Sequence, residues 1–194
     1  ADANHDGNLD ANDRIEIGNG DSPAFTFGSN IGISWKGFDF SIFMQGIGKR
    51  DLWLDGCYFW GANGQGNEWQ STGFAEHWDF FRPEGDPLGA NLNSYYPRVN
   101  FSGDRNTKVQ TRYLQNGAYL RLKNVQLGYT LPRVWTEKAG ISSVRVYVSG
   151  DNLATITSLS KIFDPEATGS LAGTGSGKLY PLQRVISVGV NVNF

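Results

Sequence analysis

The 194 residues carry 17 basic and 19 acidic side chains, a formal net charge of −2, which argues against a nucleic-acid binder with its one-sided basic excess. The 25 Gly, 12 Phe, 8 Tyr and 6 Trp favour strands joined by turns and loops over helices. A single cysteine, Cys57, excludes an internal disulfide framework and a Cys-only metal site. No apolar run approaches the ~20 residues of a membrane helix. A membrane barrel stays open, because its strands are apolar only at every second residue. The sequence begins at Ala1 with no export signal; an exported protein is made with one, so the natural N-terminus is expected elsewhere.

Residues 1–23 open with a calcium-like loop and a lead-in. Asp2, Asn4, Asp6, Asn8, Asp10 and Asp13 occupy the six oxygen-donor positions of a calcium-binding loop, Asn8 through its backbone carbonyl. Gly7 sits where such a loop turns sharply. The last donor is Asp where Glu is usual, and its shorter arm suits weak Ca²⁺ or Mg²⁺ binding. The plain reading of the same residues is an Asx-rich turn closed by side-chain-to-backbone hydrogen bonds.

Residues 24–48 read as a hairpin. In 24–35, Phe25, Phe27, Ile31, Ile33 and Trp35 alternate with Thr26, Gly28, Asn30, Gly32 and Ser34, a period of two. Lys36-Gly37 supplies the turn. In 38–48, Phe38, Phe40, Ile42 and Met44 oppose Asp39, Ser41, Phe43 and Gln45. Residues 49–118 lack sustained periodicity and form a long loop, expected to be extracellular. Loops of that length in compact domains are usually functional. This one holds Trp53, Trp60, Trp69 and Trp78. Aromatic faces in a polar loop can stack on sugar or peptide. They can equally pack onto a partner that covers the loop, or give the loop a core of its own, which is the weightiest reading.

Residues 119–153 form a strand pair. In 119–131, Leu120 and Leu122 fall out of phase with Val125, Leu127, Tyr129 and Leu131, a flip that a bulge or a change of environment along the strand would explain. A connector at 132–141, with a helical turn at 135–139, leads to a strand at 143–153. Residues 154–183 form a second long loop. The last strand, 184–194, places Ile186, Val188, Val190, Val192 and Phe194 opposite Ser187, Gly189, Asn191 and Asn193.

Short connections thus alternate with long ones, the asymmetry of outer-membrane barrels with short periplasmic turns and long extracellular loops. The expected fold is all-β: about five strands from the C-terminal part of a large antiparallel transmembrane β-barrel. Phe194 is placed on the periplasmic side, and the terminal aromatic reads as an assembly signal. Five strands fall short of the ~8 that close a membrane barrel, so further strands are expected. The competing reading is a secreted, calcium-clipped β-sandwich serving adhesion or carbohydrate binding. Catalysis is not expected. His5 and His77 lack zinc-ligand spacing, Ser176 is displaced from a nucleophile-elbow pattern, and the acidic pair Asp164 and Glu166 fits a turn better than a glycosidase.

Several stretches in order resemble the SusC/RagA family of TonB-dependent outer-membrane transporters of Bacteroidota. They are residues 6–14 with 17–19, 35–41 with Gln45-Gly46, Tyr96-Pro97-Arg98, 112–132, 146–153, 163–166, Tyr180-Pro181 and the final Phe194. The resemblance implies a barrel of about 22 strands filled by a plug and a SusD-like surface lipoprotein as lid. It implies import of glycans or peptides energised by TonB, which would act through an N-terminal part not seen in this sequence. Outer-membrane lipid would surround the barrel, and no nucleic acid is involved.

Overall fold

The computed structural model describes residues 3–8, 10–63, 73–100, 106–168 and 180–194. Asp2 and Trp69 of the expected sites lie outside the described residues. The main element is one antiparallel sheet of β1 (Phe25–Trp35), β2 (Phe38–Gly48), β5 (Tyr119–Thr130), β6 (Ser143–Thr157) and β7 (Val185–Asn193), in that spatial order. A two-stranded ribbon, β3 (Asp51–Trp53) with β4 (Leu114–Asn116), lies at the base of the long loop that sequence periodicity left blank. Three-residue strands carry too little alternation to be seen in sequence.

Cross-strand register stacks the side chains in rows. Trp35, Phe38, Tyr129, Val146 and Val190 form one; Ile33, Phe40, Leu127, Val148 and Val188 the next; Ile31, Ile42, Val125, Gly150 and Ile186 a third. Ser29, Met44, Leu122 and Ala154, then Phe27, Gly46, Leu120 and Ile156, continue the same face. The phase change in β5 is a bulge at Lys123, which both neighbouring ladders skip. Opposite it in β6, Asn152 takes a left-handed backbone, φ 52°. The extra residue returns Leu120 and Leu122 to the side of Val125 and Leu127, so the apolar face is continuous.

That face is open. Ile33, Trp35, Leu127, Val148, Ile186 and Val188 are all exposed, Val188 at 77%. Among the described residues no second sheet covers it, which corrects the β-sandwich alternative: a sandwich would bury these side chains against a facing layer. The sheet is not closed, and β1 and β7 are its two edges.

The ends of the sheet differ. One carries the two-residue turn at Lys36-Gly37 and the β5–β6 connector. That connector holds a helical turn, α1 (Arg133–Thr136), followed by a 3-10 turn Glu137–Ala139, slightly earlier than the expected 135–139. The other end carries both long loops. β6 runs to Thr157, beyond the expected 153, because Ala154–Thr157 pair with Tyr119–Leu122 once the bulge is absorbed.

Candidate ligand-binding site

The second face of the sheet is polar. Its rows include Ser34, Asp39, Gly128, Tyr147 and Gly189, then Gly32, Ser41, Gln126, Ser149 and Ser187. Arg145 reaches from β6 across β5 to β2, where its guanidinium pairs with both carboxylate oxygens of Asp39 (Nε–Oδ1 2.9 Å) and lies over the Tyr147 ring. This bridge needs Gly128 beneath it. A Cβ there would meet the Asp39 carboxylate and the Arg145 guanidinium. Gln126 Oε1 accepts a further bond from Arg145, 3.3 Å. Asp39, Gln45, Arg145 and Tyr147 share this face.

Above it, the two long loops build one cap around a core of Leu52, Leu54, Phe59, Trp60, Tyr96, Tyr113, Leu159 and Phe163. Phe59 is fully buried and packs edge-on to Trp60, Tyr96 and Tyr113. Each such aromatic pair contributes ~0.5–1.5 kcal/mol beyond area burial. Trp60 is therefore a core residue and not a stacking platform, and Trp53 packs against it at 5.9 Å. This corrects the ligand-contact expectation for Trp60: a loop of this length folds only by burying its largest side chains. Trp78 remains exposed, flanked by Phe80 and the guanidinium of Arg82.

Hydrogen bonds stitch the loops together. Glu76, from the first loop, accepts from the Tyr96 hydroxyl and from Ser160 Oγ of the second loop, each at 3.0 Å. Burial, with Glu76 adding to it, pushes the Tyr96 hydroxyl well above its ordinary range. His77 accepts from Phe74 N–H at Nδ1, 3.0 Å, which leaves the proton on Nε2 to donate to the Phe59 carbonyl, 2.9 Å. Burial lowers the His77 pKa, outweighing its hydrogen bond to the Phe59 carbonyl and the charge of Glu76. The second loop is fixed to the sheet by ions. Arg121 of β5 pairs with Asp164 at 2.7 Å, both side chains almost fully buried, and Lys123 pairs with Glu166 at 2.9 Å. Burial raises the Asp164 pKa, but Arg121 and the amides of Glu166 and Leu182 outweigh it and hold the group low. Arg50 donates to the Asp21 carbonyl at 2.7 Å and to the Thr168 carbonyl at 2.5 Å, tying the lead-in to the same loop.

Where the loops meet, an open cleft of about 1100 Å³ is lined by Tyr58, Phe74, Glu76, Ser160, Lys161 and Tyr180, among others. Apolar and aromatic walls with a few charged groups are the usual make-up of a ligand cleft. Of its residues, only Tyr180 and Pro181 belong to a stretch that carries the family resemblance. Glu76, Ser160 and Lys161 sit in segments without periodicity and belong to no motif.

The N-terminal loop is closed by its own bonds. Asp13 Oδ1 accepts from Ala3 N, 2.8 Å, and its Oδ2 from Asp10 N, 2.8 Å; Asn4, Asp6 and Asp10 each accept from the amide two residues on. The backbone bond from Asp10 leads the causes that lower the Asp13 pKa. Among the described residues no three His, Cys, Asp or Glu side chains converge to hold a metal. The donors of Asn4, Asp6, Asn8, Asp10 and Asp13 are all oxygen, the chemistry of a hard cation.

A continuous apolar face, an opposite polar face and long loops gathered at one end define a portion of a large antiparallel transmembrane β-barrel. Comparisons agree. The chain is 31% identical over its whole length to TonB-dependent receptor P3 of Formosa agariphila and 30% identical to TonB-dependent receptor P26 of the same organism. It spans 18% and 19% of the length of those relatives. Among solved structures, it superposes on a chain of the RagAB peptide transporter with TM-score 0.68 at 25% identity, covering 96% of this chain and 19% of that one. The open-open state of the RagAB peptide importer gives TM-score 0.67, also at 25% identity, with the same coverage of both chains. No family model matches. The chain belongs to the TonB-dependent receptors, as a barrel portion of the SusC/RagA type.

Proposed function

We propose that this chain is part of an outer-membrane importer of peptides or glycans, closed by a SusD-like surface lipoprotein and energised by TonB. The observation that carries the reading is the pairing of an uncovered apolar sheet face with a polar face that ends beneath a folded cap. Lipid accounts for the first, and a substrate path for the second. The cleft at the cap supplies aromatic walls with Glu76 and Lys161 as charged groups, a lining that suits a peptide or an oligosaccharide. The RagAB likeness supports the peptide reading.

The test is uptake of labelled oligopeptides and oligosaccharides by cells with and without the full-length receptor. One substrate class should enter only with the receptor present and the inner membrane energised. Uptake indifferent to energisation would contradict the TonB assignment. Isolation of the receptor without any lipoprotein would contradict the lid.

The same proposal includes a structural Ca²⁺ in the loop of Asp2, Asn4, Asp6, Asn8, Asp10 and Asp13. Titration of the full-length receptor with Tb³⁺ should give sensitised emission that excess Ca²⁺ abolishes and Asp13→Ala removes. Emission unchanged by Asp13→Ala would overturn it.

A further inference from the structure

The end of the sheet opposite the cap has a composition that the import reading leaves unused. Trp35 and Phe38 begin the apolar face there, paired across the turn. Lys36, in the left-handed conformation at φ 47°, carries its ammonium 5.0 Å above the Trp35 ring. The neighbouring connector is held alongside, because Thr130 donates to the Gly37 carbonyl at 2.8 Å. On that connector Val134 and Trp135 are exposed at 71% and 67%, and Arg133 and Lys138 are exposed too. Glu137 is the one carboxylate within residues 131–142 and is shared with Arg133 at 2.6 Å. Asp39, nearby in sequence to the turn, lies on the other face and is taken by Arg145. Three cations against one shared carboxylate therefore stand beside two exposed tryptophans and an exposed valine.

Water alone gives no reason for a four-residue helical turn to present Val134 and Trp135 outward. An interface does: tryptophan rings sit at the headgroup level with the body in the acyl region, and basic side chains beside them attract anionic headgroups. We propose that this end binds anionic phospholipid headgroups through Lys36, Arg133 and Lys138, with Trp35 and Trp135 seated at the acyl boundary. The occupant is phospholipid and not a protein, because the cluster continues directly into the apolar face assigned to lipid. The inference rests on the barrel reading and adds a lipid preference to it.

The experiment uses the full-length receptor in neutral detergent, titrated with phosphatidylglycerol or phosphatidylcholine, with bound lipids counted by native mass spectrometry. The variant is Lys36→Asn with Lys138→Gln; Asn tolerates the left-handed backbone, and the Arg133–Glu137 pair is left intact. Wild type should favour phosphatidylglycerol. The variant should bind it about 30-fold more weakly, the effect of removing two cations at an anionic surface, with phosphatidylcholine binding unchanged. Equal phosphatidylglycerol affinity in the two proteins would overturn the proposal, as would no preference in the wild type. Heat-modifiable gel migration of both proteins reports the barrel separately; a wild type without it would overturn the barrel reading and this inference with it.

Discussion

Placing an arginine at Ile186 tests which medium the apolar face meets. Ile186 lies in the row of Ile31, Ile42, Val125 and Gly150 and is 70% exposed. It is four residues along β7 from Val190, which shares the aromatic row of Trp35, Phe38 and Tyr129. At ~3.3 Å per residue that is roughly 13 Å along the strand. A strand tilt of ~40° brings it to roughly 10 Å along the membrane normal, near the middle of an apolar band ~25 Å tall. A cation there costs ~2–4 kcal/mol, or roughly 30- to 700-fold in the folding equilibrium. The matched control is Ser187→Arg, one residue on and on the polar face, with an expected cost of about 0.5 kcal/mol or less. The assay is reversible folding of the full-length receptor into lipid vesicles, titrated with denaturant. Equal destabilisation by the two substitutions, or a worse effect at Ser187, would refute the assignment of faces.

Other outcomes follow from the cap. Arg121→Met strands Asp164 in a nearly dry site and should cost about 3–5 kcal/mol, the usual cost of breaking a buried pair; proteolysis within residues 158–184 should accelerate, and adding Asp164→Leu should restore much of the resistance. Because Asp164 is held below its ordinary value, its contribution is present above pH ~4 and fades as pH falls through its lowered folded-state value. Chemical-shift titration of the labelled carboxyl checks the sign. His77, also depressed, is neutral in the folded cap, so stability is present above its ordinary value of ~6.5 and declines as pH falls below it. Protonation would set an N–H on Nδ1 against the Phe74 N–H. Cap proteolysis should therefore be faster at pH 5 than at pH 7, and the difference should vanish in His77→Gln. Trp60→Ala should cost about 3–5 kcal/mol of cap stability, while the exposed Trp78→Ala should change it by about 0.5 kcal/mol or less, as read by thermal unfolding of the purified receptor.

The strands were legible because each has one medium per face, so period two survives in Phe25 to Trp35 and in Val185 to Asn193. The phase slip of Leu120 and Leu122 was legible too, and of its two explanations, a bulge or a change of environment, the register selects a bulge at Lys123. The cap was not legible. Its core assembles Leu54, Phe59, Tyr96, Tyr113 and Phe163 from segments far apart in sequence, and no local period records such a packing. The tryptophans showed the same limit: the sequence gives Trp60 and Trp78 similar surroundings, yet one is buried and the other exposed. The Glu76 bridge between the loops and the Arg121 pair with Asp164 join residues 84 and 43 positions apart, and only tertiary structure brings them together.

The most direct test of the account is a nitroxide scan of residues 185–190 in the full-length receptor, reconstituted in lipid from a cysteine-free background. Accessibility to oxygen, which concentrates in lipid, and to a water-soluble nickel chelate is measured at each position. Ile186, Val188 and Val190 should show high oxygen and low nickel contact, while Ser187 and Gly189 show the reverse, out of phase with a period of two. Low accessibility to both agents at Ile186, Val188 and Val190, as in a dry core, would contradict the account.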